Sequence, residues 1–129
     1  MDIIEKVIPA QNDAELRVAL DAALKQLRSV GLTTVHDGGV DAQSDKLFRE
    51  YATQGKLTTR VYGMIGGVDQ FFDAVSITGP LKSHADDRYA LRSVKLYSDG
   101  ALGSRGAALL APYSDAPHTK GLLFVQDNE

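Results

Sequence analysis

Cysteine is absent from the 129 residues, which excludes a disulfide framework and any thiolate-held metal. No run approaches the roughly 18 apolar residues a membrane-spanning helix needs. Positive charge is not concentrated either. The formal net charge is -3, with both signs mixed along the chain, so no basic face predicts nucleic acid or an anionic membrane as partner. The first ten residues, MDIIEKVIPA, carry acids where a secretory signal needs a basic start and a long apolar stretch. A cytoplasmic protein is the resulting expectation. Histidine is scarce as well: His36, His84 and His118 fall in no HxH or HExxH spacing, so a complete metal site is not expected. The glycines of DGALGSRGA (99–107) match neither GxGxxG nor a P-loop, and a tight loop is favoured over a phosphate cradle.

What is present is ordinary globular composition, 43% hydrophobic and 24% charged, arranged in cycles. Residues 12–30 predict a helix: Asn12 caps it, Glu15 completes a capping box, and Leu16, Leu20, Leu24 and Leu27 form one stripe before Gly31. LTTVH (32–36) reads as a strand running into a DGG turn. Residues 43–54 predict a second helix and 57–65 a second strand. VDQFFDAV (68–75) predicts a third helix, KSHADDR (82–88) a polar linker, and LRSVKLY (91–97) a third strand. Residues 98–121 read as a long loop. Helix and strand alternate, which implies an α/β fold with a parallel βαβαβ sheet and right-handed crossovers. Three parallel strands leave two bare edges. Either this is a small open layer, or it is a sector of a barrel, which closes eight strands over about 250 residues.

Alternation sorts each strand into two faces. Thr34 and His36, Arg60 and Tyr62, and Ser93, Lys95 and Tyr97 would share an inner face. Val35, Val61, Val94 and Leu96 would face the helices. Ligands in parallel α/β folds bind at the carboxyl ends of strands, where His36, Asp37, Lys95 and Asp99 fall. A lysine there could be a neutral nucleophile or add carbon dioxide to give a carbamate, an anionic oxygen ligand. Pattern alone favours a lysine whose stem packs while its ammonium reaches water or a carboxylate. His36 could be a ligand, a base or a satisfied polar residue.

The segment SVKLYSDGALGSRGAALLAPYSDAPHTKGLLF (93–124) resembles the fourth-strand region of amidohydrolase family 3, a branch that includes N-substituted formamide deformylases. GLTTVHDGG (31–39), after its long helix, resembles that family's second strand. The resemblance covers nearly the whole chain and implies a TIM-type (β/α)8 metal-dependent hydrolase barrel, with this chain, residues 1–129, as a single partial domain. It implies that Lys95 matches the family's carboxylated bridging ligand to a zinc or other divalent metal pair. His36, Asp37, Tyr97, Asp99 and Arg105 would line the pocket. The family's HxH, its other histidines and its catalytic aspartate would lie before Met1 or after Glu129. The expectation is therefore an internal fragment of a hydrolase acting on non-peptide C–N bonds of a small amide-type substrate. Such a fragment would hold no catalytic residue of its own, bind no metal, be inactive alone, and self-associate through open sheet edges. Two further readings stay open: a small α/β module binding an anionic ligand, and a structural module.

Overall fold

The computed structural model describes residues 7–9 and 11–125, so most of the acidic N-terminal segment lies outside the described residues. They fall into two compact units, one up to Lys95 and one from Leu96 onward. In the first unit the order is α1 (Asp13–Ser29), β1 (Thr34–Val40), α2 (Ala42–Thr53), β2 (Arg60–Ile65), α3 (Gln70–Thr78), β3 (Leu81–His84) and β4 (Tyr89–Val94).

Each helix starts where its sequence supplies a cap. Asn12 accepts from the Ala14 and Glu15 amides while the Glu15 carboxylate accepts from the Asn12 amide, a complete capping box. Asp41 caps α2 by accepting from the Ser44 amide, and Asp69 caps α3 by accepting from the Phe71 and Phe72 amides. The third helix begins after Asp69, so Val68 stays outside it and exposed. Phe71, Phe72 and Val75 carry its apolar side against the core. Gly31, with φ of 76°, ends the turn after α1 in the left-handed region that favours glycine.

The sheet order is β1-β2-β4-β3. β1, β2 and β4 are parallel neighbours, which makes the fold mixed α/β with a mostly parallel sheet. The expected three-strand sheet is corrected to four: part of the stretch read as linker forms β3, antiparallel to β4. Its turn was illegible because Ala85, Asp86 and Asp87, none a glycine, all take positive φ. The Arg88 amide closes that turn on the carbonyls of His84 and Ala85. The expected DGG turn is also corrected, since Asp37, Gly38 and Gly39 lie within β1.

The core of the first unit lies between the sheet and its helices: Leu24, Val40, Leu47, Phe48, Tyr51, Leu57, Val61, Ile65, Tyr89 and Leu91 are buried. Gly63 sits in its centre. A Cβ there would stand 3.0 Å from Leu91 Cδ1, 3.1 Å from Val40 Cγ2 and 3.2 Å from Tyr89 Cε2. All three neighbours are themselves packed, so Gly63→Ala is expected to destabilise the fold by about 1–3 kcal/mol through overpacking. Chemical denaturation of the two proteins checks this; an unchanged midpoint would show that the core yields freely.

One polar network crosses the core. The Tyr89 hydroxyl donates to Asp45 Oδ1 at 2.8 Å, and Arg49 Nε donates to Asp45 Oδ2 at 2.9 Å. Nearby, His84 Nε2 lies 3.0 Å from Thr53 Oγ1 and 3.3 Å from the Arg49 carbonyl. His84, read as part of a polar linker, is thus half-buried and ties β3 to α2. On the outside, the Arg17 guanidinium grips both Glu50 oxygens at 2.7 and 2.6 Å, joining α1 to α2.

Candidate functional site

The inner sheet face, opposite the helices, carries the reactive groups of the first unit. Along β2, Val61, Gly63 and Ile65 are buried while Arg60, Tyr62 and Met64 are not. His36 pairs in register with Tyr62, and Tyr62 with Ala90, which sets these three residues on one side. The His36 and Tyr62 rings lie 5.0 Å apart at 41°. The Arg92 guanidinium carbon sits 5.8 Å from the Tyr62 ring centre, which is cation–π range.

Two bulges flank β2 at one level. On β1 the register passes from Asp37↔Gly63 to Val40↔Ile65, three residues against two. On β4 it passes from Gly63↔Leu91 to Met64↔Ser93, two against one. Each bulge inserts one residue and so reverses the later parity. That is how Leu91 and Val94 both meet the core although three positions apart. Lys95, the next residue, then falls on the inner face. Its amide donates to the Ile65 carbonyl at 2.8 Å, which fixes it just past the end of β4. Its stem passes over Gly38, where an added Cβ would lie 3.8 Å from Lys95 Cγ. An added methyl would thus meet the lysine stem at ordinary van der Waals distance, without a clash.

The expected site residues part company here. His36 and Lys95 share the inner face. Asp37 instead shares the side of Val35, lines a largely apolar cavity of about 280 Å³ beneath α1, and accepts from the Gly39 amide at 3.1 Å. Tyr97, Asp99 and Arg105 belong to the second unit. There Asp99 Oδ2 accepts from the Ala108 amide at 3.0 Å, and Arg105 pairs with Asp115 at 2.8 Å. The Gly106 carbonyl accepts from both Gly100 and Leu122 amides, and a Cβ at Gly100 would stand 2.6 Å from that oxygen. The glycines of this loop thus permit close backbone contact. Tyr97 and His118 are exposed. Tyr62 was expected on this face; Gly38 and Arg92 were missed. The legible signal was Leu91 and Val94, two apolar residues whose spacing breaks strand alternation.

Among the described residues no three His, Asp or Glu side chains gather as a metal site. An ammonium is no ligand until carbon dioxide converts it to a carbamate, so these residues do not by themselves fit a metal. No helix among the described residues is long and apolar enough to cross a membrane.

The geometry can be set beside known proteins. The sequence profile of the amidohydrolase family matches residues 1–127. YtcJ of Bacillus subtilis (strain 168), named as a candidate amidohydrolase, is 30% identical over 135 aligned residues, covering 99% of this chain and 24% of YtcJ. Crystal structures of two uncharacterized metal-dependent hydrolases superpose on the chain at 27% identity. For the Pyrococcus furiosus protein the TM-score is 0.79, covering 97% of this chain and 26% of that one. For the Pyrococcus horikoshii OT3 protein it is 0.78, covering 90% and 23%. The chain therefore spans about a quarter of the length of these relatives. With a matching profile over nearly all its residues and a parallel strand array that superposes on two such hydrolases, the chain belongs to the amidohydrolase family.

Proposed function

We propose that this chain is one sector of a TIM-type barrel in a metal-dependent hydrolase acting on non-peptide C–N bonds of small amide- or formamide-type molecules. The observation that carries the reading is Lys95. It stands past the carboxyl end of the third parallel strand, on the inner face, with its stem over Gly38. That is the end at which α/β sheets place chemistry. In the whole protein the Lys95 amine would add carbon dioxide with loss of a proton, and the resulting carbamate would serve as a bridging ligand to a pair of zinc or other divalent ions. The remaining ligands would come from outside this chain, and His36 would line the wall beside it.

The direct test is carbon-13 NMR of the full-length protein in labelled bicarbonate. A carbamate resonance that disappears in Lys95→Met supports the reading. Its absence from metal-loaded wild type sinks it.

The 129-residue chain by itself is expected to be inactive and to self-associate. β1 is an edge strand, and the apolar cavity under α1 lies beside it, so its backbone groups are a template for another copy. Light scattering checks this, and a strict monomer at high concentration would count against it.

A further inference from the structure

Gly38 lies inside β1, where a glycine packs nothing and weakens the strand. Its φ is not positive, so the backbone does not call for glycine. Close packing does not call for it either. An added Cβ at Gly63 would stand 3.0 Å from a packed leucine, and one at Gly66 would stand 3.3 Å from the Gly39 backbone. At Gly38 the nearest atom would be 3.8 Å away, and that atom belongs to the stem of Lys95. Alanine would fit. What the position leaves open is the space beyond one carbon.

The lysine occupies that space from a distance. β1 and β4 both pair with β2, so two strand spacings, roughly 10 Å, separate them. The Lys95 amide is fixed to the Ile65 carbonyl. Yet Lys95 Cγ and Cδ pass 3.8 and 4.0 Å from the first carbon that a side chain at 38 would carry. Two successive methylenes at nearly equal distance describe a stem lying alongside the position. The side chain therefore leans across β2 and carries its amine toward β1. A longer residue at 38 would compete for the same volume. Valine fills two of the three staggered directions beyond its first carbon, so little of the passage would survive.

We propose that Gly38 is a positioning residue for Lys95: the space above it is the passage through which the lysine stem crosses β2, and filling that space prevents carbon dioxide from adding to the amine. This rests on the carbamate reading of Lys95. In that step the neutral amine attacks carbon dioxide, a nitrogen–carbon bond forms, one carbon–oxygen π bond opens to give the carboxylate, and the nitrogen releases a proton to water. A stem turned back into solvent would stay an ammonium, which has no lone pair for the attack.

The experiment is carbon-13 NMR of the full-length protein in labelled bicarbonate, with thermal melting to report the fold. Wild type and Gly38→Ala should show the carbamate resonance at intensities within about twofold of each other. Gly38→Val should lose it by about tenfold or more while still melting cooperatively. Gly39→Val is the matched change at the next residue, where an added carbon meets nothing within 4 Å, and it should keep the resonance. If Gly38→Val does not fold, Gly38→Cys can be folded first and then capped with a methylthio group. Capping should remove the resonance and thiol reduction should restore it, with wild type unchanged by either treatment. A folded Gly38→Val or a capped protein that keeps the resonance overturns the proposal, as does its loss in folded Gly39→Val. In those cases the wild-type resonance remains and the lysine reading stands. A wild type without the resonance overturns both.

Discussion

Lys95→Ala in the full-length protein is expected to lower amide hydrolysis by about a thousandfold, roughly 4 kcal/mol of transition-state stabilisation. The size follows from what the side chain would supply under the proposed reading. A carbamate carries a full negative charge and two oxygens, which neither Ser93 and Met64, paired in register on the adjacent strands, nor Gly38 beneath the lysine stem could supply. Partial rescue by millimolar formate or acetate is the stronger half of the prediction. A small free carboxylate could occupy the space left by the truncated side chain and restore the lost oxygen ligand. A role limited to holding the strand end would not respond to such acids. Retention of activity to within tenfold of wild type would remove Lys95 from the chemistry.

How far the sequence showed this can be judged residue by residue. Local signals were legible because their causes are local: Asn12 and Glu15 sit three apart and form the capping box expected of them. The parallel order of β1, β2 and β4 followed from helices between strands. β3 was hidden because a four-residue strand has too little pattern, and its turn uses left-handed residues without glycine. Gly38 and Gly39 read as a turn because paired glycines usually are one. Here they form a bulge, and a lysine from two strands away passes over Gly38. Asp37 followed His36 in sequence but not in direction, since neighbours on a strand face opposite ways. Asp45 and Arg49 stand at helical i,i+4 spacing and could have been paired by eye. Their third member, Tyr89, is 44 residues away, beyond any local rule.

That third member makes the network the most vulnerable point of the fold. Asp45→Ala is expected to cost about 3 kcal/mol, a large share of the 5–15 kcal/mol typical of a domain. Asp45 is only 8% exposed and Tyr89 fully buried, so deletion leaves a phenol hydroxyl without an acceptor in the core. Arg49 loses its carboxylate but reaches water, which holds the cost to the low end for a broken buried pair. Tyr89→Phe removes donor and demand together and should cost only about 1 kcal/mol. Once Phe stands at 89, Asp45→Ala should cost distinctly less than in wild type, because no hydroxyl remains to be stranded. The pH dependence runs the same way. Burial pushes the Tyr89 phenol well up, and the charge of Asp45 and its hydrogen bond add to the shift. An unfolded tyrosine ionises near pH 10. A raised folded value means that the unfolded chain releases this proton first, so the stabilisation is complete below about pH 10 and declines as pH rises above it. Tyr89→Phe should therefore flatten the alkaline arm of the stability curve. Additive costs for the two substitutions, together with an unaltered alkaline arm, would show that the hydroxyl and the carboxylate meet without mattering to one another.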